Sequence, residues 1–193
     1  MKKIEVDLLS PTQFDRTMSQ LQYFLVFCAF VAGKSSKTQS VKANEMFEDL
    51  NYPEHPFDVF SNMSEREIRD LLEKHKIGQY NRLTKCLYDL SRASLNLNTC
   101  SCEELEKIPG IGFKTSRFFV VHSRENANYA VLDTHILAWL REYYPSSPKS
   151  TPSNLKQYLF WENLFLDKCV EMNKTPSKLD FEIWYERQKT WKI

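Results

Sequence analysis

Glycine is scarce: four residues in 193 leave few of the tight turns that hairpin-rich sheets require, which disfavours an all-β or loop-rich fold. Paired cysteines are lacking too. The five present (28, 86, 100, 102, 169) are odd in number and scattered, and only Cys100 and Cys102 lie close together. A C-x-C without a second pair is not a zinc pattern, so reduced thiols in an intracellular protein are the expectation. No long apolar run is present; the longest, Tyr23–Gly33, is too short for the ~20 residues of a membrane span and suits a buried helix. The Met-Lys-Lys start has no apolar segment behind it, so no secretory signal is expected. A net charge of +1 does not advertise a nucleic-acid partner, and any basic face must be local. What the chain does have is 42% hydrophobic and 13% aromatic residues, enough for a real core.

Apolar spacing is helical almost throughout. Residues 1–19 have no strong period and read as an irregular lead-in. Leu21, Phe24, Leu25, Cys28 and Val31 mark a helix that is apolar nearly all round, ends at Gly33 and belongs in the core. Helical spacing resumes over Ser40–Leu50, and the two prolines of Tyr52–Pro56 read as a break. Ser64-x-x-Glu67 and Ser101-x-x-Glu104 are capping boxes that open helices through Ile68, Leu71 and Leu72, and through Leu105 and Ile108. Tyr80, Leu83, Leu87 and Leu90 mark another, and Lys114–His122 and Thr134–Tyr143 two more. Thr151-Pro152 and Thr175-Pro176 read as N-cap plus first-turn proline for the last two helices. No convincing strand or repeat is present. The expected fold is all-α, with nine or ten helices.

Charge is uneven along the chain. Gly33–Asn44 carries Lys34, Lys37 and Lys42 and no acid; Lys74–Tyr88 carries Lys74, Lys76, Arg82 and Lys85 and no acid; Lys107–Arg124 carries Lys107, Lys114 and Arg117 before its terminal arginine and no acid. Glu45–Asp58 between the first two is acidic. One such run alone is ordinary solvated surface, but three point towards a phosphate-backbone partner.

The most informative stretch is LEKIPGIGFKTSRFFVVHS, with Asp133 about twenty residues past Lys114. In Pro109-Gly110-Ile111-Gly112, two glycines allow a turn with positive φ while Ile111 plugs into the core. The helix that follows offers free N–H groups and positive dipole potential to an anion. Lys114 sits in its first turn, where the dipole disfavours an ammonium, and a neutral lysine amine is a nucleophile that forms Schiff bases. Asp133-Thr134 is a good N-cap, and a capping carboxylate is held rigidly enough to steady a nearby cation or take a proton.

IPGIGFKTSRFFVVHS followed by AVLDTHILAWL resembles the helix-hairpin-helix DNA glycosylase superfamily. Upstream, Ile77-Gly78-Gln79-Tyr80-Asn81 resembles its turn preceding the hairpin, and Phe24–Lys42 its first core helix and polar turn. The likeness spans roughly residues 20–143. It implies an all-α fold of two helical subdomains, residues 20–130 and residues 1–19 plus 131–193, with the base pocket in the cleft. It implies Lys114 as the nucleophile of a bifunctional glycosylase/lyase and Asp133 as the assisting carboxylate. By the same resemblance Gly110, Gly112 and Thr115 hold a DNA phosphate through backbone amides, Gln79 is the wedge, and Lys34 or Ser35 contacts the opposite base. His135 matches a phosphate contact, and the carbonyls of Glu106, Ile108 and Ile111 match a monovalent-cation site.

Two departures stand out. The four-cysteine iron–sulphur loop of the endonuclease III branch is absent, and Phe118 replaces the smaller residue of the eukaryotic 8-oxoguanine enzymes. The chain is most similar to the short prokaryotic 8-oxoguanine branches, with a Trp-containing C-terminal helix, Phe181–Trp191. Phe118 and Trp184 are the base-pocket candidates, although Phe181, Trp184 and Tyr185 also suit ordinary core packing. The expected function is excision of an oxidised base, 8-oxoguanine, from duplex DNA with β-elimination, by an intracellular, prokaryotic-type monomer that requires no cofactor. A glycosylase/lyase for oxidised pyrimidines and a helix-hairpin-helix DNA-binding module without catalysis are the alternatives.

Overall fold

The structure, a computed structural model, describes residues 11–190, with side chains as far as 187. Residues 1–10 of the expected lead-in and Trp191 lie outside the described residues. Among the described residues there are ten helices and no strand, so the fold is all-α. The chain divides into two compact units, the first ending at Gly112 and the second beginning at Phe113.

The first unit holds α1 (Met18–Phe30), α2 (Ser36–Asp49), α3 (Pro56–Ser61), α4 (Glu65–Lys74), α5 (Tyr80–Arg92) and α6 (Cys102–Glu106). Helix α1 is buried on every face from Leu21 to Phe30. Its polar atoms reach backbone beyond the helix: Tyr23 OH donates to Pro53 O at 2.6 Å, and Gln22 Oε1 accepts from Phe57 N, in the first turn of α3, at 3.0 Å. Helix α2 starts at Ser36, capped by Ser35, four residues before the helical spacing resumes, so Lys37 lies on a helix and not in a polar turn. The expected break contains α3, because Pro56 occupies the first helical turn, where its missing N–H costs nothing. Both expected capping boxes form, at Ser64/Glu67 and Ser101/Glu104. Helix α5 packs on α1, α3 and α4.

The second unit holds α7 (Phe113–Ser123), α8 (Thr134–Tyr143), α9 (Leu155–Glu171) and α10 (Pro176–Thr190). Its core joins Leu132, Ile136, Leu137 and Leu140 to Tyr158, Phe165, Leu179 and Ile183. Ile136, Leu137 and Leu140 of α8 are at most 1% exposed, so their burial supplies about 5–9 kcal/mol before conformational entropy is subtracted. Helix α10 begins at Pro176 as expected, with Thr175 Oγ1 accepting from Lys178 N. Thr151-Pro152, in contrast, does not open α9. Asn154 is the cap, and Thr151 Oγ1 instead donates to Leu132 O at 2.7 Å. No helix among the described residues is long and apolar enough to cross a membrane.

Candidate active site

The hairpin begins where α6 runs out. Ile111 N donates to Ile108 O at 3.0 Å, closing the turn, and Ile108 and Ile111 are both buried. Only Gly110 has positive φ, +90°, and a Cβ there would stand 3.0 Å from Arg82 Cγ and 3.2 Å from Arg82 O. Gly112 is different from what its spacing suggested. Its φ is not positive, and a Cβ there would meet nothing within 4 Å, so the fold itself does not require glycine. It is exposed and immediately precedes α7.

Lys114 and buried Thr115 lie in the first turn of α7, whose N–H groups have no intrahelical acceptor. Lys114 makes no ion pair among the described residues; its Nζ rests over the Phe118 ring, 4.4 Å from the centroid. Phe118 in turn meets His122 edge-to-face at 5.1 Å, and His122 Nε2 is 3.0 Å from Asp180 Oδ2 on α10. Positions 114, 118 and 122 are i, i+4 and i+8, one stripe along the helix. His122 is fully buried and Asp180 nearly so. Burial pushes the Asp180 carboxyl upward and the nearby Asp133 charge adds to this, while the hydrogen bond and charge of His122, and the charge of Lys114, pull it back.

Asp133 caps α8 with one oxygen: Oδ1 accepts from His135 N at 2.8 Å and from Ile136 N at 2.9 Å. Oδ2 takes no part in the cap. The segment that leads into Asp133 is clamped by α9. Glu162 Oε1 accepts from Ala130 N at 2.9 Å and from Arg117 Nε at 2.9 Å. Tyr158 OH donates to Ala130 O at 2.8 Å and accepts from Leu132 N at 3.2 Å, and Thr151 holds Leu132 O. The Arg117 guanidinium lies over the Tyr158 ring at 4.6 Å.

That buried pair changes the reading of the third basic run. Arg117 is 2% exposed and spent on Glu162, so it is not offered to a phosphate. The other two runs are likewise partly consumed. Lys74 pairs with Asp49 at 2.5 Å, Lys42 Nζ donates to Lys76 O at 2.5 Å, and Lys34 Nζ donates to Ile77 O. Burial, with Lys42 and Arg82 nearby, holds Lys34 below the usual lysine range. Arg82 donates to Ala29 O at 2.7 Å, to Gly110 O at 2.6 Å and to Gln79 Oε1 at 2.6 Å. It therefore ties the hairpin to the end of α1.

Gln79 is exposed, in the left-handed region at φ 52°, and its Nε2 donates to Ala32 O at 3.0 Å. Ser35 caps α2, and His135 is half-buried beside Asp133. Trp184 lies one turn beyond Asp180 on α10 and stacks on Phe181 at 6.1 Å, both half-buried, while Tyr185 is exposed. The three aromatics are therefore not ordinary core. A cavity of about 780 Å3 along Ser146–Trp161 is lined by neither Lys114 nor Asp133.

Arg82, Arg117, Tyr158, Glu162, His122 and Asp180 support the site and were not singled out from sequence as its supports. The i, i+4 pair Tyr158/Glu162 on the core face of α9 was the available signal, two polar groups where apolar ones were expected.

No family model matches the chain. It is 27% identical over 175 residues to the 8-oxoguanine DNA glycosylase/AP lyase of Thermoplasma acidophilum, covering 86% of this chain and 79% of that one. It is 25% identical over 170 residues to the enzyme of the same name from Thermoplasma volcanium, covering 83% and 76%. Among solved structures it is similar to the Methanocaldococcus jannaschii 8-oxoguanine glycosylase/lyase bound to a 15mer DNA containing 8-oxoguanine. The TM-score is 0.70 at 20% identity over 91% of this chain and 84% of that one. The 8-oxoguanine DNA glycosylase of Thermotoga maritima follows, with a TM-score of 0.66 at 19% identity, covering 89% and 81%. The fold is that of these 8-oxoguanine glycosylases, in keeping with the helix-hairpin-helix resemblance.

Proposed function

We propose that this chain is a base-excision DNA glycosylase with β-lyase activity that removes 8-oxoguanine from duplex DNA. The observation that carries the reading is a lysine amine in no ion pair among the described residues, two residues past the hairpin, in the same unit as a carboxylate pinned by two backbone N–H groups. The relatives' names support the substrate.

In the reaction, the Lys114 amine lone pair attacks C1′ of the everted nucleotide. The C1′–N bond breaks, and its electron pair leaves with the base, which takes up a proton. The amine sheds its proton as the sugar ring opens, and C1′ and Nζ form the Schiff base. Loss of a C2′ proton then expels the 3′-phosphate, nicking the strand. The Asp133 carboxylate faces the positive charge that develops on the sugar and helps remove the amine proton.

Gly110, Gly112 and Thr115 offer backbone amides to a phosphate, and exposed Gly112 lets that phosphate approach closely. Gln79 fills the gap left by the everted base, Lys34 or Ser35 faces the opposite base, and His135 contacts a phosphate. Phe118 and Trp184 are the aromatic faces of the base pocket. The carbonyls of Glu106, Ile108 and Ile111 suit a monovalent cation: they are neutral oxygen donors, and Ile108 O keeps a second lone pair beside its bond to Ile111 N. Such an ion would add positive charge beside the phosphate. No iron–sulphur cluster is involved, and the enzyme works as a monomer on the DNA inside the cell.

Borohydride trapping tests the reading. Wild type is expected to cross-link to an 8-oxoguanine duplex, Lys114→Gln to give no adduct, and Asp133→Asn to slow trapping by ~10²-fold or more. Undiminished trapping by Lys114→Gln would refute the nucleophile. A panel of lesion duplexes separates 8-oxoguanine from oxidised pyrimidines, and binding without nicking of any lesion would identify a non-catalytic module.

A further inference from the structure

Gln79 is held in a way that the helix it opens does not require. It is the N-cap of α5, yet its side chain caps nothing there. Its backbone stands in the left-handed region, φ 52° and ψ 39°, which a residue with a Cβ occupies only at a cost. The residue is exposed, but both ends of its amide are taken. Nε2 donates to Ala32 O at 3.0 Å, and Oε1 accepts from Arg82 Nε at 2.6 Å. An exposed glutamine ordinarily leaves its amide to water and keeps its rotamer freedom.

The two partners also fix which way round the amide lies. A carbonyl only accepts and a guanidinium only donates, so the oxygen faces Arg82 and the nitrogen faces Ala32. Arg82 in turn donates to Ala29 O, in the last turn of α1, and to Gly110 O, in the hairpin. The turn before α5 is clasped from the other side as well, where Lys34 Nζ donates to Ile77 O and Lys42 Nζ to Lys76 O. One guanidinium therefore joins the end of α1, the Gln79 amide and the hairpin, all within the first unit.

We propose that Arg82 is a positioning residue for base eversion: it braces Gln79 against the hairpin, so that the wedge meets the duplex already set. This rests on the reading of Gln79 as the wedge. A free glutamine gives up its rotamer freedom on entering the base stack, whereas a braced one has given it up on folding, and less is lost at binding. An amide pushed between bases also leaves water, which is costly for a polar group without a partner. Here Ala32 O and Arg82 are partners that go with it. The bond to Gly110 O, finally, fixes the wedge relative to the turn that grips a phosphate, so grip and wedge meet the DNA in one register.

The competing account is an arginine that satisfies two carbonyls and nothing more. The two accounts differ in the step that suffers. A weaker fold or a looser hairpin slows every reaction on DNA alike. A lost brace slows the extrusion of a stacked base in particular, and an abasic site has no base to extrude. The ratio of single-turnover 8-oxoguanine excision to abasic-site nicking isolates that step.

The experiment measures this ratio on the full chain at saturating enzyme, with cytosine opposite either lesion. The proteins are wild type, Gln79→Ala, Arg82→Lys and the double variant. Lysine keeps the positive charge but cannot bridge Gln79 and both carbonyls. Gln79→Ala is expected to lower the ratio by ~10-fold or more, and Arg82→Lys by ~5–10-fold, the scale of ordering one glutamine side chain. The double variant is expected to fall no further than Gln79→Ala, because the brace then has nothing to hold.

A ratio for Arg82→Lys within ~2-fold of wild type, or effects that multiply in the double variant, would overturn the brace while leaving the wedge in place. A Gln79→Ala ratio within ~2-fold of wild type would overturn the wedge, and the brace with it. If Arg82→Lys does not fold, Gln79→Leu decides, since it keeps similar bulk at an exposed position and drops both amide bonds. It is expected to lower the ratio as Gln79→Ala does. A wild-type ratio for Gln79→Leu would show that bulk alone suffices and would overturn the proposal.

Discussion

The clamp on residues 130–132 makes the sharpest stability prediction, through one oxygen atom. Tyr158→Phe deletes a buried hydroxyl that bonds both Ala130 O and Leu132 N, and leaves the ring among its neighbours. Neither backbone group has water at hand, since Ala130 and Leu132 are both 0% exposed. An orphaned buried group costs ~1–3 kcal/mol, and two of them ~2–4 kcal/mol, because some rearrangement recovers part of the sum. For a chain of 193 residues that lowers the melting temperature by roughly 5–15 °C.

The same change loosens the segment that delivers Asp133. A carboxylate displaced by ~1 Å costs on the order of 10²-fold, so single-turnover nicking is expected to fall ~10–100-fold under conditions where the variant is still folded. Calorimetry and a quenched nicking assay read the two effects separately. Melting within ~1 °C of wild type, together with nicking within ~2-fold, would refute the claim that Tyr158 holds the segment in place.

Two further tests probe the hairpin and the thiols. Gly110→Ala puts a Cβ 3.0 Å from Arg82 Cγ at φ +90° and is expected to cost ~1–3 kcal/mol in urea melts, whereas Gly112→Ala, with nothing within 4 Å, leaves the melt unchanged and weakens duplex binding by ~10-fold; the opposite order of stabilities would show the turn to be misassigned. Burial pushes the Cys86 and Cys169 thiols up to about 12, so at pH 8 only ~1 in 10⁴ is thiolate, and iodoacetamide is expected to leave both untouched in the native protein while labelling all five cysteines after denaturation. Rapid native labelling of Cys86 or Cys169, read by mass, would contradict that burial.

What the sequence made legible was local. The boxes at Ser64 and Ser101 and the cap at Asp133 need only residues two or three apart, and all three formed as read. The same local logic failed at Thr151-Pro152, because the threonine hydroxyl had a better use nineteen residues back, on Leu132 O. It failed at Tyr52–Pro56, where a proline taken as a stop was the first residue of α3. Charge runs failed for a related reason. A run without acids is basic only if folding brings none to it, and Arg117 meets Glu162 forty-five residues away while Lys74 meets Asp49. Lys114 and Asp133 stood out because a turn and a cap mark them. Their supports are ordinary helix residues whose partners no short motif encodes.

Those supports explain why α7 carries two buried polar pairs where leucines would pack as well. A buried pair adds little stability over an apolar one, but it has direction. At about 100° per residue, Arg117 lies some 60° to one side of Lys114 around the helix axis, and His122 some 80° to the other. Arg117 is anchored to α9 through Glu162, and His122 to α10 through Asp180. Lys114 therefore sits in the sector between two fixed points. A roll of only about 10° would carry an atom ~8 Å from the axis through ~1.4 Å, a displacement large enough to matter to catalysis. Apolar contacts tolerate such a roll by repacking. A 2.9 Å and a 3.0 Å hydrogen bond on opposite flanks do not, so the polar core of this unit is best understood as orienting the Lys114 helix rather than stabilising it.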